Sequence, residues 1–439
     1  MNGACAARYE PGSIDMRPWG RKSGLLALLL ILASGIGAPR VGAVEIESHG
    51  FLLLDYSLRT TGQRPAEADS DFLLAEERLR LDLTVWGEEI EGAVRFKGDL
   101  LHDAIDGQVD IDVREAHVDY TAGRFDFRLG RQIATWGVGD LLFINDVFPK
   151  DWVSFFAGRP LEYLKVGVDG ARARYSSTAV NAELMVIPSF TPDTLPTAER
   201  FFLFDPFATV PRRIATEPAS TYGNTELALR LYRRAGDFDV AVYAYKGFWR
   251  SPGMRPDDVS APSQVTAFYP KLAAYGASLQ GNALDGILSL EAGYYDSRSD
   301  RDGDDAAIPN SQYRFLVGYQ RQIQQDLTLG VQYYAEIMAD YGAYIQSLAS
   351  GSPVQRRYRD TLTLRVEQLL RHQTLRLGLF TFYSPADKDY LIQPQATYRF
   401  SDEFSATLGA NIFGGKEKTT FLGQFDKNDN LYLSARFDF

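Results

Sequence analysis

From Glu47 onward, apolar and polar side chains alternate one for one in segment after segment, and this pattern limits the fold more than any other feature. In RLRLDLTVWG, Leu79, Leu81, Leu83 and Val85 share one face, while Arg78, Arg80, Asp82 and Thr84 share the other. TLTLRVEQLL, DLTLGVQYYAEI and TLRLGLF repeat the pattern. A period of two is that of a β-strand with one apolar and one polar face. About eighteen such segments begin near residues 47, 76, 90, 109, 124, 163, 178, 221, 237, 268, 284, 311, 326, 358, 373, 388, 403 and 428.

A soluble sandwich alternates in the same way, so the connections decide between the two. Links after even-numbered segments are tight: Glu88-Glu89, Ala122-Gly123, Ser177-Thr178, Ala235-Gly236, Asn282-Ala283, Gln324-Gln325, Arg371-His372 and Asp402-Glu403. Links after odd-numbered segments are mostly long and polar, as at 60–74, 135–162, 188–220, 250–267, 298–310 and 339–357. Short inner turns and long outer loops belong to an outer-membrane barrel. The expected fold is all-β: an antiparallel transmembrane barrel of 16–18 strands around an aqueous bore.

Residues 1–43 read as an export signal. Arg17, Arg21 and Lys22 precede the apolar run Leu25–Ala33, and Val41-Gly42-Ala43 supplies small residues for cleavage. Met16 is an alternative start. Residues 44–439 then form a single barrel domain. The sole cysteine, Cys5, lies in the leader, so no disulfide or thiolate chemistry is expected of the exported chain. A net charge of −11 without a dense Lys/Arg stripe argues against nucleic acid.

The last segment, NLYLSARFDF, places Leu431, Leu433, Ala435, Phe437 and Phe439 on one face. It resembles the C-terminal strand that the barrel-assembly machinery recognises, which makes that machinery, outer-membrane lipid and lipopolysaccharide the expected partners. Aromatics near segment ends (Trp86, Tyr120, Tyr243, Tyr245, Phe248, Trp249, Tyr294, Tyr295, Tyr333, Tyr334, Tyr383 and Tyr398) suit two interfacial girdles.

The third outer link, within Gly130–Lys165, is too apolar for a free surface loop. Folding it into the barrel mouth buries its large side chains, with Trp136, Phe143, Phe148 and Trp152 as anchors. Asp140, Asn145, Asp146, Lys150, Asp151 and Arg159 would then ring a constriction opposite wall residues Glu115, His117, Arg128, Arg131, Gln132 and Lys165. Both charge signs beside an apolar shelf suit a small amphipathic or hydrophobic organic solute. The alternative has this loop packing outward, as a partner contact or between copies in a homo-oligomer.

Strands four and five pair across Thr121–Arg124, with Tyr120 opposite Phe125, Val118 opposite Phe127 and Ala116 opposite Leu129 on the lipid face. A slipped residue on each strand, near Arg114 and Gly130, would turn Arg131 inward toward Glu115. The wording of this region resembles a family of porin-like outer-membrane proteins distantly related to alginate-export barrels. Its marks are Arg114-Glu115-Ala116, Gly130-Arg131-Gln132 with Trp136-Gly137, and Asn145 with Pro149 and Asp151. His117 stands where the family usually has Tyr, and the match covers roughly residues 76–175. The resemblance implies an outer-membrane channel.

Other functions fit less well. A hydrolase barrel needs a Ser/His or Asp/His constellation, yet His49, His102, His117 and His372 are scattered over four regions. An electron conduit needs haem attachment in this chain or in a partner, and this chain has no Cys-x-x-Cys-His. It could still sheathe a separate cytochrome or join an envelope export complex. Asp300, Asp302 and Asp304 around Gly303 echo a calcium loop, but no Glu closes the set. Neither a metal nor a cofactor is expected.

Overall fold

A computed structural model describes residues 44–87 and 91–439. The proposed leader and the Glu88-Glu89 turn lie outside the described residues. Among those described, eighteen antiparallel strands close into one barrel. In chain order they are β1 (Val44–Arg59), β2 (Phe72–Gly87), β3 (Gly92–Asp103), β4 (Gln108–Ala122), β5 (Phe125–Gln132) and β6 (Val168–Tyr175). Next come β7 (Asn181–Ile187), β8 (Glu226–Ala235), β9 (Phe238–Phe248), β10 (Lys271–Ala283), β11 (Gly286–Ser297) and β12 (Gln312–Gln324). The last six are β13 (Leu327–Met338), β14 (Tyr358–Leu370), β15 (Leu375–Ser384), β16 (Asp389–Arg399), β17 (Phe404–Gly415) and β18 (Asn430–Asp438). Every start falls within five residues of its sequence-based position.

Each strand pairs with its chain neighbour, and β1 pairs with β18 to close the sheet. The Phe439 backbone seals the seam, donating to and accepting from Gly50 at 3.0 and 2.9 Å. Closure removes the free edges that a sheet of this size would otherwise expose. Inner turns are tight: Leu284 and Asp285, both at positive φ (54° and 60°), make the two-residue β10–β11 turn. On β2, Leu79 and Leu81 are 40% and 41% exposed while Arg78 and Arg80 are 6% and 2% exposed, so alternation sends apolar chains outward and charges inward.

Three expectations need correction. The β4–β5 register is displaced by two: Ala122 faces Phe125, Tyr120 faces Phe127 and Val118 faces Leu129. Gly123, at φ 59°, permits a tighter turn than the four-residue one expected. An even shift preserves both faces, so Tyr120, Phe125, Phe127 and Leu129 still point to lipid. The bulge appears only on β4, where the ladder with β3 skips Arg114 and turns it inward. On β5 the ladder runs unbroken to Gln132, so Arg131 keeps the outward phase of Leu129. Its guanidinium meets the Val113 carbonyl (2.6 Å) and Asp169 (3.3 Å), not Glu115.

Lastly, Tyr243, Tyr245, Trp249 and Tyr295 are not girdle residues. They pack in a buried interior cluster with Trp136 and Phe148 of the third outer loop. The fourth and fifth outer loops also build a small separate sheet from Arg212–Thr216, Gly253–Pro256 and Gln264–Phe268.

Candidate functional site

The third outer loop, residues 133–167, leaves β5 and returns to β6, yet it touches strands on every side of the barrel. Near its start, Trp136 donates to Glu183 of β7 (3.0 Å) and packs edge-on against Phe148. The backbone amides of Val138, Gly139 and Asn145 converge on the Glu291 carboxylate of β11 at 3.0, 3.1 and 2.7 Å, joined by Asn145 Nδ2 at 2.9 Å. Asp140 reaches Gln332 of β13 through its amide (2.8 Å) and Arg365 of β14 through its carboxylate (2.6 Å).

A single helical turn, α1 (Trp152–Ala157), follows. Asp151 caps it by accepting from the Ser154 amide (2.9 Å), and Gly158 ends it at φ 94°, a left-handed position suited to glycine. Phe155 and Phe156 project against Phe382 of β15 and Phe413 of β17. The Phe156 carbonyl accepts from Asn411 (3.2 Å) and Asn430 (3.1 Å). Arg159 then meets Glu76 of β2 and Asp151 (3.0 Å). Glu162 bridges Arg80 (3.2 Å) and Arg436 of β18 (2.9 Å). Only a segment lying across the lumen can hold partners on β2, β7, β11, β14 and β18 together.

The polar residues of this loop serve mainly as tethers. Asp146 and Lys150 form a buried pair at 3.0 Å, with Lys165 3.8 Å from Asp146. On the wall, Glu115 lies 3.7 Å from Lys97 and accepts from the Ile133 amide (3.3 Å). His117 sits beside Asp119 (3.4 Å), which also holds Arg128 (2.6 Å), and Gln132 donates to the Gly170 carbonyl (3.2 Å). These groups and the loop are neighbours, but Arg131 faces away.

Of the four aromatic anchors, Trp136 and Phe148 are buried. Phe143 and Trp152 are only partly so; with Leu141, Leu142 and Val153 they edge an apolar cluster on the β15–β18 side. Phe421, 53% exposed, stacks edge-on against Trp152.

Sequence reasoning missed the clasp above this loop. Asp193, in the fourth outer loop, accepts from the Lys150 amide (2.8 Å) and Trp152 Nε1 (3.1 Å), while the Trp152 amide donates to the Thr194 carbonyl (2.9 Å). Burial pushes the Asp193 carboxyl above its ordinary range, against these hydrogen bonds, which lower it. Arg250 ties the Val147 carbonyl (3.1 Å) to Glu226 (2.6 Å) and to the Thr191 carbonyl (3.0 Å). Such contacts join positions 24 to 103 residues apart, and alternation carries no signal for them.

The calcium-like loop is a turn. Asp300 accepts from the amides of Gly303 and Asp305, each at 3.0 Å. Among the described residues, no three His, Cys, Asp or Glu side chains converge to hold a metal there or elsewhere.

No family model matches the chain, and no curated protein matches it in sequence. Solved structures match it in shape. OccD3 (OpdP) of Pseudomonas aeruginosa superposes with a TM-score of 0.54 at 10% identity, covering 91% of this chain and 92% of that one. The two chains share one barrel fold. OpdK of the same organism, solved with vanillate, also gives 0.54 at 10% identity over 90% of this chain and 98% of that one. OccK11 (OpdR) gives 0.52 at 10% identity, covering 90% and 95%. Identities this low establish a shared fold. A closed porin-type barrel belted with outward leucines and aromatics places the protein in the bacterial outer membrane.

Proposed function

We propose that the protein is a passive outer-membrane channel for a small amphipathic or hydrophobic organic solute, narrowed by its third outer loop. The observation that carries this reading is the loop's course across the lumen, tied to β11 by Glu291 and to β2 by Glu76. A crossing segment leaves a solute only the space around it. The apolar edge of Leu141, Phe143 and Trp152 adjoins the partly exposed charges Asp140, Arg365 and Glu367, with Arg365 lying over Phe380 of the same apolar cluster. Apolar surface beside fixed charges of both signs favours a molecule with an apolar body and a polar end over a simple ion. The porin fold and the motif resemblance around Glu115, Gln132 and Trp136 support the same reading. No covalent chemistry forms part of it. Its implied partners are lipopolysaccharide around the outer rim and the assembly machinery at the strand ending in Phe439.

Purified protein in planar bilayers should conduct, and proteoliposomes should take up small aromatic or aliphatic acids and alcohols faster than sugars of equal mass. Absence of conductance from correctly folded protein would sink the reading.

A further inference from the structure

The membrane face of β1–β3 carries a polar cluster where leucines are the rule. Tyr56, Glu77 and His102 share the phase of Leu54, Leu79 and Leu100, which are 47%, 40% and 47% exposed, so their side chains project away from the lumen. His102 Nδ1 lies 2.5 Å from one Glu77 carboxylate oxygen, and the Tyr56 hydroxyl donates to the other. The edge of Phe72 supports Tyr56 at 6.1 Å. His102 stands two residues before the short outer turn 104–107, so the cluster belongs to the outer leaflet. An ionisable pair there is costly in hydrocarbon unless something polar covers it.

A trough of about 470 Å³ begins at this pair. It runs between two register rows of the sheet. Leu54, Glu77 and His102 make the upper row; Leu100, Leu79, Phe437 and Phe404 lie along the lower. Rows two residues apart are separated by about 7 Å, the width of a hydrocarbon chain. The trough descends obliquely from His102, beside an outer turn, to Phe404, the first residue after the inner turn 400–403. A polar head over a long apolar groove is the shape of a lipid molecule.

We propose that this face holds one lipid A molecule of the outer leaflet, with a phosphate at His102 and an acyl chain in the trough. Glu77 holds the imidazole through Nδ1, which leaves Nε2 to share a hydrogen bond with the phosphate. Tyr56 takes up the second Glu77 oxygen, so the carboxylate does not repel the incoming anion unopposed.

The test uses the full exported chain in phosphatidylcholine nanodiscs doped with lipid A, with retained lipid counted by native mass spectrometry after a detergent wash. Wild type is expected to keep one lipid A per barrel. His102→Ala should lower retention about tenfold, the effect of losing one charge-assisted hydrogen bond. Leu100→Trp, which fills the trough and leaves His102 in place, should lower it comparably. Heat-modifiable migration verifies that each variant remains a folded barrel. Equal retention by wild type and both variants overturns the proposal, as does equal retention of phosphatidylglycerol. Recovery of wild type as a pair of chains that His102→Ala separates overturns it too, because a second copy would then occupy the face.

Discussion

Asn145, midway along the third outer loop, donates from its side-chain amide to Glu291 on the wall of β11 at 2.9 Å, and its backbone amide meets the same carboxylate oxygen at 2.7 Å. With Val138 and Gly139 on the other oxygen, Glu291 anchors a segment about 150 residues away in sequence. Glu291→Gln replaces one acceptor oxygen with an NH2 group facing backbone N–H donors. Each buried donor left without a partner costs about 1–3 kcal/mol. The expected result is a barrel of unchanged melting temperature whose open-channel current is noisier than wild type. Identical current traces would show that this anchor does not hold the loop.

The Arg159–Glu76 pair is the second anchor, and Arg78 also shares Glu76 (2.8 Å). Losing Arg159 leaves Glu76 with Arg78 alone and takes a partner from Asp151 as well, and each hydrogen bond to a charged group contributes about 1.5–3 kcal/mol. Arg159→Met should therefore expose α1 to protease in the folded barrel. Equal cleavage of wild type and Arg159→Met would mean that the pair contributes nothing to loop order.

Asp193 makes the clasp pH-dependent. Burial disfavours its carboxylate form, so the clasped loop binds the proton more tightly than a detached loop would. The stabilisation is full below the ordinary Asp value of about 3.9 and is lost as pH rises through the raised one. Current fluctuations should be quiet in acid and grow with pH, and Asp193→Asn should flatten the dependence. Parallel pH profiles for the two proteins would contradict this assignment.

Phe439 pairs its backbone with Gly50 across the closing seam. Deleting it removes both hydrogen bonds and a terminal outward aromatic, so the yield of heat-modifiable barrel in the outer membrane should fall several-fold. Wild-type yield would separate this residue from assembly.

The barrel was legible because a lipid-facing strand must alternate, as Leu79, Leu81 and their neighbours do, and because loop length alternates with it. Register was less so: nothing in YTAGRF distinguishes a two-residue turn from a four-residue one, and the even slip leaves every face unchanged. Tyr243, Tyr245 and Trp249 read as membrane aromatics because an amphipathic ring suits a wet bore and a lipid interface equally. The apolar excess of residues 141–156 signalled burial, but the partners Glu291, Asp193 and Arg250 belong to other segments. Tertiary contact alone brings them to the loop.

The most direct measurement is the single-channel conductance of the folded barrel after removal of residues 139–157. That deletion takes out α1 and the segment spanning from Glu291 to Glu76, while leaving β5 and β6 intact. If the third outer loop narrows the bore, conductance should rise several-fold over wild type and uptake should lose its preference for apolar solutes. Unchanged conductance in a heat-modifiable deletion barrel would contradict the account and place the narrowest point elsewhere.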